Sequence, residues 1–319
     1  MNSVELITSN LLSPMVLAFV LGFVAVLLKS DLDLPQGLYT SLSIYLLFAI
    51  GLKGGVALSK CTIAELWKPV LATCFLSLLT PWLAYMAARK LGKIDRVNAS
   101  ALAAHYGSVS AVTFIAATQF AVTNNLPAEG FMPALVAVLE VPAILFALYL
   151  VVRKQSDSNL GPLVHELLTG RALILLIGGI AIGLISGAKG YEQISPLFGD
   201  LFKGALTIFL LEMGLVAGER AKALKSRSLF LIVFGTTIPL LNGCLGVVIG
   251  HMAGLSPGGA GVLGAMAASA SYIAAPAAVR IALPDADPGL YLTGAIVVTF
   301  PFNLVIGIPL YAHLAQMWS

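Results

Sequence analysis

Two short stretches, GSVSAVT at residues 107–113 and SASYIAAP at residues 269–276, interrupt long apolar segments with small and hydroxyl-bearing residues. Within them, Ser110 and Ser271 stand 161 positions apart, at equivalent points of the two halves of the chain. Paired interruptions of apolar helices expose backbone dipoles at the middle of a membrane, where they bind small ligands. We therefore interpret the two stretches as two halves of one binding site.

The composition is that of a membrane protein. Of 319 residues, 59% are hydrophobic and 10% are charged, whereas about a quarter of the residues in a soluble domain are charged. Ten apolar spans are close to the length of about 20 residues that crosses a bilayer as a helix. They are 13–28, 37–58, 68–88, 97–122, 131–152, 171–187, 199–217, 228–252, 260–280 and 290–316. The sequence predicts an all-α, multi-pass membrane protein with lipid around it and no nucleic-acid partner.

The charged loops predict the orientation of the chain. One set of loops carries thirteen Lys and Arg residues, and the other set carries only Lys60, Lys68, Lys189 and Lys203. The basic set is Lys29, Arg89, Lys90, Lys93, Arg96, Arg153, Lys154, Arg171, Arg220, Lys222, Lys225, Arg227 and Arg280. Because basic loops stay in the cytoplasm, we expect both termini to lie outside.

Further matches at a nearly constant offset indicate a duplicated unit. Gly22 pairs with Gly183, and Gly51 with Gly214, at offsets of 161 and 163 positions. Five spans per unit is an odd number, so the second unit must be inverted in the membrane. We predict a first five-helix repeat over 1–152, a cytoplasmic linker over 153–170 with a short surface helix, and a second repeat over 171–319. The broken helices are then the fourth and the ninth.

The interruptions carry the candidate ligand-binding groups. A helix is broken inside a membrane only where it lines a cavity or is buried in protein. We expect Gly107 to supply unusual backbone angles, and we expect half-helix N-termini to bind an anion while unwound carbonyls bind sodium. The predicted substrate-binding residues are Gly107, Ser108, Val109, Ser110, Ala270, Ser271 and Tyr272. The predicted sodium-binding residues are Ser108, Thr113, Glu140, Ser269, Ser271 and Thr299. Close packing of small residues is the alternative reading of both breaks.

Glu140 lies within the fifth span, directly before Val141 and Pro142. A carboxylate inside a membrane is a functional candidate by default, and oxygen ligands suit a hard cation. It would bind sodium, carry a proton or bond a neighbouring helix. Alignment of Pro142 with Pro301 makes Thr299 its counterpart. His105 would line the path or respond to pH, but we expect it to be a hydrogen-bonded packing residue. Glu212, Asn242 and Asn303 would bond between helices or form oligomer contacts.

The sequence has no pattern of a catalytic site. It contains no nucleophile elbow, no His/Cys metal cluster and no phosphate-binding loop. We therefore expect neither an enzyme nor a cofactor, no metal other than sodium, and no primary pump on this chain.

The chain resembles the SbtA-type sodium-dependent bicarbonate permeases along nearly its whole length. The resemblance rests on six stretches in order: 50–57, 107–113, 140–143, 267–271, Pro276 with Arg280, and 283–288. It implies ten helices in two inverted repeats, a core domain and a gate or scaffold domain, and a homotrimer in the bacterial inner membrane. It also implies sodium-coupled uptake of bicarbonate, with the anion where the fourth and ninth helices meet.

Several positions depart from those permeases, and among them Ala274 and Ala275 replace small polar or flexible residues. Glu140 stands where they more often carry aspartate, and Tyr272 stands where they carry an acid. The connector at 153–171 is also shorter, which weakens the implied docking of a PII-like cytoplasmic regulator. The leading hypothesis is a sodium:bicarbonate symporter. The alternatives are a sodium-coupled carrier of another small anion, such as an organic carboxylate, and a sodium or proton antiporter that uses Glu140.

Overall fold

The computed structural model describes residues 8–152, 161–222 and 228–318. Within these ranges the secondary structure is helical, with no strand. The helices are α1 (Pro14–Leu27), α2 (Gln36–Leu58), α3 (Ile63–Lys90), α4 (Arg96–Gly107), α5 (Ala111–Thr123), α6 (Met132–Val152), α7 (Gly161–Thr169), α8 (Arg171–Ser195), α9 (Phe202–Ala221), α10 (Ser228–Met252), α11 (Pro257–Ala267), α12 (Ala275–Ala282) and α13 (Pro288–Gln316). Helix α13 contains π-helical turns over Gly294–Thr299 and Asn303–Gly307.

Seven helical segments in the described ranges are long and apolar enough to cross a membrane. They are Gly37–Leu58, Ile63–Lys90, Arg96–Thr123, Met132–Val151, Arg171–Ala221, Leu229–Met252 and Pro288–Gln316. The 51-residue segment Arg171–Ala221 contains both α8 and α9. The prediction of an all-α, multi-pass membrane protein is therefore confirmed.

The linker predicted at 153–170 lies partly outside the described residues. Residues 153–160, with Arg153 and Lys154, fall outside them, as do Lys225 and Arg227. The rest of the linker forms α7, which is the short helix expected there. Its buried residues Leu163 and Leu167 are one helical turn apart, and α7 packs against α6, α8 and α12.

Gly187 interrupts α8 at the residue where the predicted sixth span ends. Its φ of 61° and ψ of −167° lie outside the helical region. Such a conformation is open to glycine because it has no Cβ. The apolar first part of α8 and its polar continuation towards Ser195 are thus two helical pieces joined at Gly187.

The helices pack in two groups. In one group, α1 packs against α9 and α2 packs against α8. In the other, α3, α4 and α6 pack on one another, α10 packs on α11, and α11 also contacts α5 and α13. The four serines of the interruptions lie inside this second group and are at most 3% exposed.

Glycines set the close approach of both helix pairs in the first group. A Cβ on Gly22 of α1 would collide with the Leu211 carbonyl of α9, and a Cβ on Gly183 of α8 would collide with the Leu52 carbonyl of α2. Small residues at such crossings let backbones approach closely, which is how helices associate in lipid.

Gly183→Ala is expected to destabilise the protein. The added methyl would meet the Leu52 backbone, and overpacking of this kind costs about 1–3 kcal/mol. Gly178→Ala on the same helix is the matched control, because a Cβ there meets nothing within 4 Å. Thermal unfolding in detergent measures both. An equal loss of stability in the two variants would contradict the tight crossing of α2 and α8.

Candidate functional site

Both interruptions leave the helical path inside the protein. Helix α4 ends at Gly107 and α5 begins at Ala111, with extended backbone at Ser108 (φ −89°, ψ 161°) and Ser110 (φ −89°, ψ 114°). Helix α11 ends at Ala267, and α12 begins at Ala275. The first break is buried, and the second is buried except at Ile273 and Ala274, which line cavities. A broken helix at membrane depth is tolerated in both settings.

The two breaks are hydrogen-bonded to each other. The Ser110 amide donates to the Ser269 hydroxyl at 2.7 Å, and the Ser271 amide donates to the His105 carbonyl at 2.8 Å. Each bond joins residues more than 150 positions apart in sequence. Because an unpaired buried amide costs free energy, these bonds favour one arrangement of the two breaks.

The bonding pattern is not symmetric. The Ser269 hydroxyl accepts from the Ser110 amide and donates to the Met266 carbonyl at 2.7 Å. Its counterpart Ser108 is 1% exposed, and its hydroxyl has no hydrogen-bond partner among the described residues. The Ser271 amide reaches the His105 carbonyl directly. Ser269 is thus a structural bridge, whereas the Ser108 hydroxyl remains unused by the protein.

Two half-helices begin at the breaks. The Ser110 hydroxyl accepts from the Thr113 amide at 3.3 Å and caps α5. The Ser271 hydroxyl accepts from the Ala275 amide at 3.3 Å, at the first turn of α12. The first amides of a helix have no acceptor within it, and the helix dipole adds positive charge there. Both half-helices therefore present an environment that favours an anion.

These two N-terminal ends meet at one small cavity of about 10 Å³. Five of the predicted ligand-binding residues line it, which are Val109, Ser110, Glu140, Ser271 and Tyr272. The other predicted residues lie outside the lining, and these are Gly107, Ser108, Thr113, Ser269, Ala270 and Thr299. The remaining lining comes from residues that were not predicted, which are Ala111, Ala172, Ile273 and Ala274.

Glu140 is the acidic residue of this cavity. It is 5% exposed and faces the N-terminal ends of α5 and α12. A second, larger cavity of about 330 Å³ also contacts Glu140 and extends to Glu166 and Arg171. We call this larger cavity the vestibule. It connects the surroundings of Glu140 with the α7 side of the protein.

Gly107 serves the fold in a way that differs from the expectation. Among the described glycines, positive φ angles occur at Gly187 and Gly254 but not at Gly107. A Cβ at Gly107 would instead collide with the ring of Pro81. Gly107 is thus required by the close approach of α4 to α3, and the extended backbone begins after it.

Neighbouring helices bond the last carbonyls before each break. The Thr80 hydroxyl of α3 shares its hydrogen between the Leu76 carbonyl at 2.9 Å and the Gly107 carbonyl at 3.2 Å. Asn303 of α13 donates to the Ala268 carbonyl at 2.8 Å. Gly107 and Ala268 are 161 positions apart, so these are equivalent carbonyls. The interhelical role expected for Asn303 is confirmed. Thr80 was not identified from the sequence. Its position directly before Pro81 in an apolar span was the feature that could have indicated it.

The side chains of Thr299 and His105 contact residues that do not line the small cavity. The Thr299 hydroxyl bonds the Tyr106 hydroxyl at 2.9 Å and the Gly235 carbonyl at 2.8 Å. His105 contacts the Ala101 carbonyl through Nδ1 at 2.7 Å and stacks on Tyr291 at 4.3 Å. Both side chains hold helices around the first break, as the packing interpretation of His105 expects.

Two broken helices that meet at a buried polar cavity are typical of secondary transporters. The chain belongs to the Na+-dependent bicarbonate transporter superfamily, whose family model matches residues 14–316. A search among curated proteins finds no match. The family resemblance inferred from the sequence is thereby confirmed, and it supports Na+ and bicarbonate as the ions of this protein.

Ser269→Ala and Ser108→Ala are expected to differ in stability, although the residues are counterparts. Removing the Ser269 hydroxyl leaves the buried Ser110 amide without its acceptor, which costs about 1–3 kcal/mol. Removing the Ser108 hydroxyl breaks no hydrogen bond of the described protein. Thermal unfolding in detergent compares the pair. Equal melting temperatures would contradict the bridging role of Ser269.

Proposed function

We propose that this protein is a sodium:bicarbonate symporter. The observation that carries the proposal is the meeting of the N-terminal ends of α5 and α12 at one buried cavity beside Glu140. Helix N-termini favour the anion, and an adjacent carboxylate favours a cation. One site thus offers both charges of the coupled pair, and family membership supports bicarbonate and sodium as the two ions.

The anion would bind to hydroxyl and amide donors. Ser110 and Ser271 each accept a backbone amide through their oxygen, which leaves their hydroxyl hydrogens for a ligand. The amides of Ala111 and Val112 belong to the first turn of α5, where a helix has no internal acceptors. Bicarbonate has three oxygens that accept from such donors.

The coupling ion would bind next to the anion. Glu140 supplies a carboxylate within the cavity. We assign Ser108 as a second ligand, because its buried hydroxyl, outside the cavity lining, has no partner among the described residues. Without a cation, the Glu140 charge would repel bicarbonate in the same cavity. Sodium bound to Glu140 removes this repulsion, so each ion strengthens the binding of the other.

The proposed architecture is ten membrane crossings in two inverted five-helix repeats. The contacts of the glycines support it. Gly22 of α1 packs on α9, and its sequence counterpart Gly183 of α8 packs on α2. Gly51 of α2 and Gly214 of α9, the second matched pair, pack back on α8 and α1. The glycine contacts between α1 and α9 thus have their counterparts in the glycine contacts between α2 and α8. The pairs α1–α9 and α2–α8 would form the gate, and the other helices the core.

The proposed orientation places the basic loops in the cytoplasm and both termini outside. Glu166 and Arg171 then lie on the cytoplasmic side, and the vestibule opens inward. The conformation would be one that releases ions to the cell. As the family resemblance implies, we place the protein as a homotrimer in the bacterial inner membrane.

Uptake of labelled bicarbonate into proteoliposomes tests the function. An inward sodium gradient is expected to accelerate uptake, and a potassium gradient of equal size is the control. Equal uptake under both gradients would contradict symport. Inhibition of bicarbonate uptake by acetate or lactate would indicate a carrier of organic carboxylates. Proton movement in the absence of bicarbonate would indicate an antiporter.

Glu140→Gln is expected to raise the sodium concentration that half-saturates transport by about tenfold or more. The amide keeps the size of the side chain but loses the charge that binds sodium. Glu166→Gln is the matched control, because Glu166 is exposed and lines the vestibule but not the small cavity. Initial rates across a sodium series measure the effect. An unchanged sodium dependence in Glu140→Gln would remove this carboxylate from the sodium site.

A further inference from the structure

Tyr272 stands at the boundary between the small cavity and the vestibule. Five residues line both spaces, which are Glu140, Ala172, Tyr272, Ile273 and Ala274. Of these, only Glu140 and Tyr272 carry polar side chains. A cavity of about 10 Å³ is close to the space of one water, whereas the vestibule beyond measures about 330 Å³. The Tyr272 ring is the largest side chain at this boundary.

The ring of Tyr272 is held in place by aromatic contacts. It lies edge-on to Phe300 of α13, with ring centroids 5.8 Å apart. Phe300 is in turn edge-on to Phe19 of α1 at 5.6 Å. Such pairs stabilise a fixed ring geometry. The boundary is therefore a fixed side chain, connected through Phe300 to a helix of the other packing group.

The hydroxyl of Tyr272 is buried and unused. The residue is 9% exposed, and its hydroxyl makes no hydrogen bond within the described parts of the chain. The Ser110 hydroxyl is its hydrogen-bonding neighbour, at a geometry short of a full hydrogen bond. A buried hydroxyl without a partner is unfavourable, and the space it shares with Ser110 and Ser271 is the proposed anion cavity.

The charges around the cavity favour a neutral donor at this position. An ionised Glu140 can only accept hydrogen bonds and repels an anion. A phenol donates one hydrogen bond without adding charge. Tyr272 therefore supplies to an anion what the neighbouring carboxylate does not.

We propose that Tyr272 determines anion selectivity: its hydroxyl donates to the bound anion, and its ring separates a water-sized space from the vestibule, so that an anion fits only as this space widens and small anions need the least widening. This inference rests on the proposed function. Small planar oxyanions such as formate and nitrate need a widening similar to that for bicarbonate, whereas propionate needs more.

Tyr272→Phe tests the hydroxyl. A lost hydrogen bond to a charged ligand corresponds to a rise in the KM for bicarbonate of about tenfold or more. Tyr85→Phe is the matched control, because Tyr85 of α3 lines neither the vestibule nor the small cavity. Both variants are compared with wild type in proteoliposomes at saturating sodium. A Tyr272→Phe variant with the wild-type KM would overturn the donor role.

Tyr272→Ala tests the ring. Propionate is expected to inhibit bicarbonate uptake by this variant but not by wild type, while formate inhibits both. Elution in size-exclusion chromatography and melting temperature establish that each variant is folded. If neither variant folds, the inhibition series on wild type decides, because inhibition by propionate at formate concentrations would overturn the size limit. Absence of bicarbonate uptake by wild type would instead contradict the proposed function itself.

Discussion

The hydrogen bonds between the two breaks are the constraint on which the site depends. The amides of Ser110 and Ser271 reach across to the Ser269 hydroxyl and the His105 carbonyl. Without these bonds, two buried amides would lose their partners, which costs free energy. With them, the N-terminal ends of α5 and α12 meet at one cavity, and Glu140 of α6 faces both.

Side chains from outside the breaks complete this arrangement. Thr80 and Asn303 bond the equivalent carbonyls of Gly107 and Ala268, from helices that are not equivalent to each other. The two breaks also differ in length, because residues 108–110 separate the helices at the first break and residues 268–274 separate them at the second. Among the described residues, the Ser108 hydroxyl has no hydrogen-bond partner, whereas the Ser269 hydroxyl bonds the Ser110 amide and the Met266 carbonyl.

Much of this could be predicted from the sequence. Apolar length and sparse charge predicted the membrane helices, and the offset of 161 positions located both breaks. Glu140 was recognisable because a carboxylate in an apolar span is expensive. Gly107 was expected to supply unusual backbone angles, but it is required by close packing against Pro81. The sequence shows a glycine in either case and does not distinguish the two reasons. The hydrogen bonds of Thr80 and Thr299 depend on which helices become neighbours. The periodicity of a single helix does not predict its neighbours. The sodium-binding role of Thr299 stays a prediction, with its hydroxyl bonded to Tyr106 and Gly235.

The central claim is that an anion and sodium share one site and strengthen each other's binding. Titration of the purified protein with bicarbonate at several sodium concentrations tests it most directly. We predict that the Kd for bicarbonate falls as sodium rises. The Kd for sodium should fall by the same factor with bicarbonate, because coupling between two ligands is reciprocal. A bicarbonate affinity that is independent of sodium would contradict the account.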